Sequence, residues 1–210
     1  MLHLLHPVYF PNIATMAVLA QKECQWEVCD YYQKQTYRNR TYICTDQGKH
    51  LMSIPIKHVG GKQGKQFYRD VRTDNSYSWQ RLHWRTLETA YRSSPFFEYF
   101  EDDLAPLFED PPTFLLDFNL ECIQTVYSLL GLSVPAMRTS KYDLSPLEVA
   151  DMRHLVNAKK TLPFDPPYYT QVFVEKHGFI PNVGILDLLF NEGMHAADYL
   201  RSLSLDFAHA

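Results

Sequence analysis

Apolar and polar positions change their spacing several times along the chain, and each change predicts an element. "LLHPVYF" is a short apolar run that reads as a strand, and Pro11-Asn12 is a helix-start signal. Ile13, Met16, Ala17 and Ala20 then recur at helical spacing. "WEVCD", "RTYICTD" and "KHLMSIPIK" predict three further strands, the last with Leu51, Ile54 and Ile56 as its apolar positions. If residues 28 to 34 alternate as a strand, Asp30, Tyr32 and Lys34 share one face and Tyr31 and Gln33 the other. "TYRNR" is then a turn or loop that delivers Arg38 and Arg40.

The second half has a helical period. Trp79, Gln80, His83, Trp84, Leu87, Ala90 and Tyr91 recur at three- and four-residue steps until Pro95 interrupts them. Phe114 to Leu116 reads as a strand, Asp117 or Asn119 as a cap, and Leu120, Ile123, Val126, Tyr127 and Leu130 as a helix stopped by Gly131. "DLSPLEVADMRHLVNAKK" predicts a short helix. After Pro181-Asn182 a docked helix is expected, with Ile185, Leu188 and Leu189 facing inward against the aromatic helix and Gly193 closing it. "HVGGKQGKQ" reads as an exposed, mobile loop able to act as a lid; Gln66 after Gly64-Lys65 breaks the Walker pattern.

These elements imply one α/β domain over residues 1–210, with a mixed sheet and helices packed on its faces. A chain that is 46% hydrophobic, 14% aromatic and 21% charged is neither disordered nor a coiled coil. A net charge of -4 supplies no basic field for phosphate backbones, so nucleic acid is not an expected partner. No apolar run spans a bilayer, the start lacks the pattern of a secretory signal, and Cys24, Cys29, Cys44 and Cys122 contain no Cys-x-x-Cys pair. A cytoplasmic protein with free thiols and no membrane span is expected.

The richest chemistry lies in "DYYQKQTYRNR", Asp30 to Arg40. Two guanidiniums beside Asn39 form a cradle for phosphate or carboxylate, each a planar fork of donors; the plainer alternative is solvated loop charge. His6, between a strand and a helix start, is the candidate acid, base or phosphate donor, with Asp30 as its catalytic partner. Tyr9, Gln33, Arg38, Asn39, Arg40, His83 and Asp117 make up the candidate substrate-binding set. His83 lies on a helix that either lines an aromatic pocket or simply faces the core. Asp117 is either a strand-end site residue or a helix cap. His3 and His6, three apart, would suit metal ligation only on a helix, and their apolar run reads as a strand, so no metal site is expected; nothing in the chain names a cofactor.

"HPVYFPNI", "DYYQKQTYRNRTYI", "LMSIPIK", "WQRLHWRTLETAYRSSPFFEYF", "LLDFN" and "FIPNVGILDLLFNEG" stand in an order that resembles the WbqC-like protein family. The chain looks like a shortened, divergent member: Asn12 follows the opening block where Trp is usual, and residues 133 to 170 are brief. The resemblance implies a bacterial protein of O-antigen or other surface-polysaccharide gene clusters. It also implies a transferase that moves an aminoacyl unit, glycine for example, onto an amino-sugar intermediate, with a sugar- or nucleotide-type small molecule as ligand. The alternative is a non-catalytic scaffold of the same family that binds a metabolite or a partner.

Overall fold

The computed structural model describes residues 1–57 and 65–209. The glycine- and lysine-rich lid expected from His58 to Gln66 falls almost wholly outside the described residues. Strand β1 (Leu2–Leu5) leads through Pro7 and Pro11 into helix α1 (Ile13–Gln21), which returns the chain to β2 (Cys24–Trp26). Asn12 starts α1 as expected of a helix-opening amide, its Oδ1 accepting the Thr15 N–H at 2.9 Å. Ile13 to Leu19 are all buried, so α1 is a central helix with no wet face.

β1 and β2 pair in parallel, as the helix between them requires, with Leu5 opposite Trp26. The other neighbour of β1 is β5 (Val149–Asp151), also parallel, giving the order β2-β1-β5. This strand replaces part of the helix expected over residues 143–160. Pro146 disfavours helix for the residue before it, and β1 offers an open edge that pairs with Val149 to Asp151.

β3 (Arg40–Thr45) and β4 (Gly48–Ser53) form an antiparallel hairpin, a second sheet separate from the parallel one. Asp46 and Gln47 make its turn, and Gly48 takes φ +93°, where a side chain would be strained. Parallel and antiparallel strands are thus both present, in two small sheets within one α/β fold.

Helices α2 (Trp79–Tyr91) and α3 (Phe97–Leu104) flank Pro95, and α4 (Leu115–Leu129) follows. The strand expected at Phe114 to Leu116 does not form. Leu115 and Leu116 are already the first turn of α4, because Leu115, Phe118, Cys122, Ile123 and Val126 carry one continuous buried stripe at helical spacing. Gly131 at φ +63° ends that helix region, as its position predicts.

After a one-turn helix α5 (Val174–His177), α6 (Ile185–Glu192) enters the core with Ile185 to Asn191 all buried, and α7 (Ala196–Ser202) packs on α1. The Phe190 ring meets Tyr91 and Phe97 with centroids 5.0 Å away in each case, so the terminal helix seals the aromatic helix pair. Asp187 is fully buried in this seam. Its carboxylate accepts Tyr91 Oη at 2.8 Å, Tyr169 Oη at 2.7 Å and Gln171 Nε2 at 2.9 Å, and Asn191 Nδ2 donates to its backbone carbonyl.

Candidate functional site

The three parallel strands each hand over to a polar residue at the same edge. Past Leu5 comes His6, past Trp26 comes Glu27, and past Asp151 come Met152 and Arg153. In open α/β sheets this carboxyl edge is where ligands gather, because strand ends and the loops leaving them can present side chains without interrupting the ladder.

The chain does not continue as a strand after Trp26. Glu27 Oε1 captures the Cys29 N–H at 2.7 Å, and Thr139 Oγ1 accepts the Val28 N–H at 3.2 Å. Side chains therefore take the donors that a ladder would use, and the segment bends away. Asp30 consequently leaves its expected strand face and turns inward at 5% exposure, while Tyr31 and Gln33 face solvent. The 3-10 turn Tyr37–Asn39 then carries Arg38 back beneath it.

His6, Asp30 and Arg38 meet in one buried centre. Arg38 Nη2 donates to Asp30 Oδ2 at 2.8 Å and stands 2.8 Å from His6 Nε2, and His6 Nε2 lies 3.4 Å from Asp30 Oδ2. Burial first, and the Arg38 charge second, hold His6 well below the usual imidazole range. The ring is therefore neutral, with the Nε2 lone pair accepting from Arg38 and the proton on Nδ1, which faces the Glu27 carbonyl at 3.4 Å. Asp30 and His6 are bridged by the guanidinium and are not paired with each other.

Arg38 is 0% exposed and is not the open cradle foreseen for it. Its guanidinium lies over the Tyr68 ring at 5.2 Å. Asn119, on the buried stripe of α4, donates to the Arg38 carbonyl at 2.6 Å and also to Tyr68 Oη, fixing the turn from behind. One guanidinium nitrogen thus serves two acceptors, while Arg38 Nε and Nη1 have no hydrogen-bond partner among the described residues.

A strap of chain lies across the same edge. Thr139 N donates to the Trp26 carbonyl at 2.9 Å and Thr139 Oγ1 donates to Glu27 Oε1 at 2.9 Å. Arg153 Nη1 donates to the Asp143 carbonyl at 2.7 Å and stands 3.5 Å from Glu27 Oε2. Glu27, Tyr68, Asn119 and Arg153 were not among the expected site residues. For Glu27 a signal existed, an acid directly after an apolar strand; for Asn119 it was a lone amide on an otherwise apolar helical stripe.

The remaining expected residues separate into other places. Tyr9 Oη meets His83 Nδ1 at 2.9 Å, a pair with no hydrogen bond to His6, Asp30 or Arg38. Burial pushes His83 down to about 4 and Tyr9 well above the ordinary phenol range, so both are neutral. Asn39 and Arg40 line a small cleft with Tyr32 and Lys34. Gln33 is exposed on the loop. Asp117 is exposed in the first turn of α4, where a carboxylate favours the helix N-terminus, and not at a strand end.

All four cysteines are free and buried, and burial pushes Cys24 and Cys44 up to about 12. No thiolate nucleophile is available from either. Among the described residues no cluster of His, Cys, Asp or Glu is placed to hold a metal ion, and no helix is long and apolar enough to cross a membrane.

The fold and this edge define an α/β protein with a dry His-Asp-Arg centre where its parallel strands end. The chain belongs to the WbqC-like protein family, whose sequence model matches residues 7–165. It is similar to the uncharacterised protein Rv1507c of Mycobacterium tuberculosis, 27% identical over 198 residues that cover 81% of this chain and 84% of the relative. No solved structure matches the chain.

Proposed function

We propose that the protein is a group-transfer enzyme of surface-polysaccharide biosynthesis that moves an aminoacyl unit from an activated acyl donor onto the amine of an amino-sugar intermediate. One observation carries the chemical part of this reading: a neutral His6 whose Nε2 lone pair is held by a buried guanidinium with two nitrogens unpartnered among the described residues. An anionic substrate group that engages Arg38 draws the guanidinium towards itself and releases that lone pair. His6 Nε2 then accepts the proton of the attacking amine as the C–N bond forms and the bond to the leaving group breaks. Asp30, still paired to Arg38, steadies the imidazolium that results. The acyl and amino-sugar identities are those that the resemblance to the family implies.

The tight closure of the centre, with His6 at 4% exposure and Arg38 at 0%, favours a second reading, a metabolite-binding scaffold without turnover. One experiment separates them. The chain is incubated with aminoacyl donors and nucleotide-linked amino sugars, and the products are followed by mass spectrometry. Transfer expected from the wild type should fall by about two to four orders of magnitude in His6→Gln, the span typical of a lost general base. Binding of an amino sugar without any acylated product, in a panel that includes ester, thioester and acyl-phosphate donors, would establish the scaffold.

A further inference from the structure

We propose that the cleft between the Tyr32–Arg40 segment and the end of β4 is a binding subsite for a small hydroxylated phosphate monoester. The proposal rests on the group-transfer reading only in taking this cleft as the approach to the same centre. The connection is Tyr32, which lines the cleft and whose ring centroid lies 6.5 Å from that of Tyr68, the ring over which the Arg38 guanidinium sits.

The cleft holds about 360 Å³, near the lower end of small-molecule pockets and suited to a single sugar ring more than to a dinucleotide. Asn39 carries the argument. It is 8% exposed, its Nδ2 donates to the Ile54 carbonyl at 2.9 Å, and its own carbonyl accepts the Ile54 N–H at 2.8 Å. These bonds fix the carboxamide, so its Oδ1, which has no hydrogen-bond partner among the described residues, cannot turn to find one.

Arg40 Nε is buried and unpartnered in the same way. Neither Arg40 nor Lys34 forms an ion pair with a carboxylate among the described residues. A fixed, unpartnered acceptor on Asn39 and two cations without an ion pair among the described residues thus line one cleft. The acceptor calls for a ligand hydroxyl, and two cations match the near-double charge of a phosphate monoester better than the single charge of a carboxylate. Pro55 and Ile56, both half-buried, supply an apolar wall for the carbon skeleton.

The test is titration calorimetry on the full chain with glucose 6-phosphate, gluconate, glucose and inorganic phosphate. Glucose 6-phosphate should bind at least about tenfold more tightly than each of the others, a gap of about 1.4 kcal/mol. Arg40→Gln and Lys34→Gln should each weaken it about tenfold or more, and Arg40→Lys should recover part of the loss. Gluconate binding as tightly as the sugar phosphate would overturn the assignment, as would no binding at all or affinities unchanged in both variants. His6→Gln separates this subsite from the transfer chemistry, since it should leave sugar-phosphate affinity intact. Transfer that depends on His6 in a protein that binds none of these probes would sink the subsite alone; a bound sugar phosphate with His6-independent transfer would sink the transfer mechanism alone.

Discussion

Arg38 donates to His6 Nε2 across 2.8 Å, a contact that requires the imidazole to be neutral and fixes which nitrogen carries its proton. The same Arg38 nitrogen holds Asp30 at 2.8 Å, so one buried cation keeps a base and an acid side by side without letting them pair.

That arrangement sets the cost of breaking it. Arg38→Met leaves Asp30 as an uncompensated buried carboxylate, and loss of one partner of a buried pair costs ~3 to 5 kcal/mol. The double variant Arg38→Met/Asp30→Asn removes both charges and should recover a substantial part of that loss. Denaturant unfolding of the two proteins measures the difference, and a double variant no more stable than the single one would show that Asp30 does not depend on Arg38.

Two buried neutral histidines make the fold sensitive to acid. The folded values of His83, about 4, and of His6 both lie below the ordinary 6.5, so the stability they contribute is fully present above 6.5 and is lost as pH falls. For His83 the loss runs from 6.5 down to about 4 and amounts to about 3 kcal/mol at 1.36 kcal/mol per pH unit. Unfolding free energies measured across that range should slope upward with pH, and His83→Gln should flatten the slope even where it lowers overall stability.

The terminal helix should be indispensable. Truncation before Phe179 removes Ile185, Leu186, Leu188, Leu189 and Phe190, all buried to within 1%. Each such side chain contributes ~1.5 to 3 kcal/mol when fully buried, and together they rival the ~5 to 15 kcal/mol that holds a domain folded. Circular dichroism and analytical ultracentrifugation should show loss of cooperative unfolding; a soluble, cooperatively melting truncation would mark the segment as an appendage.

Gly184 tests how closely the terminal segment docks. Its N–H donates to the Tyr42 carbonyl at 2.6 Å, and a Cβ there would run into Thr41 Oγ1 and stand 3.1 Å from the Tyr42 carbonyl oxygen. Gly184→Ala should therefore cost ~1 to 3 kcal/mol by overpacking, read as a lower melting temperature, although its backbone φ of -63° suits alanine. An unchanged melting temperature would mean that the Thr41 side chain can give way.

Periodicity in the sequence was enough to place α1, the aromatic helix, most of α4, the β3–β4 hairpin and the terminal helix, because each is a local pattern of burial with its own cap or stop: Asn12, Pro95, Gly131 and Gly193. A strand, a helix and a strand in succession leave β1 and β2 as parallel neighbours, the economical packing, whereas the bend after Trp26 that brings Asp30 and Arg38 to His6 depends on Glu27 and Thr139. β5 was not legible, because Val149 to Asp151 form a strand only where the edge of β1 accepts them. Nor could the sequence tell Arg38 from Arg40. They are two residues apart and chemically identical, yet Asn119 and Tyr68 draw one into a dry centre while the start of β3 leads the other to a cleft. Which charges face each other is decided by residues far away in the chain, through desolvation and hydrogen bonds that exist only once the core has closed.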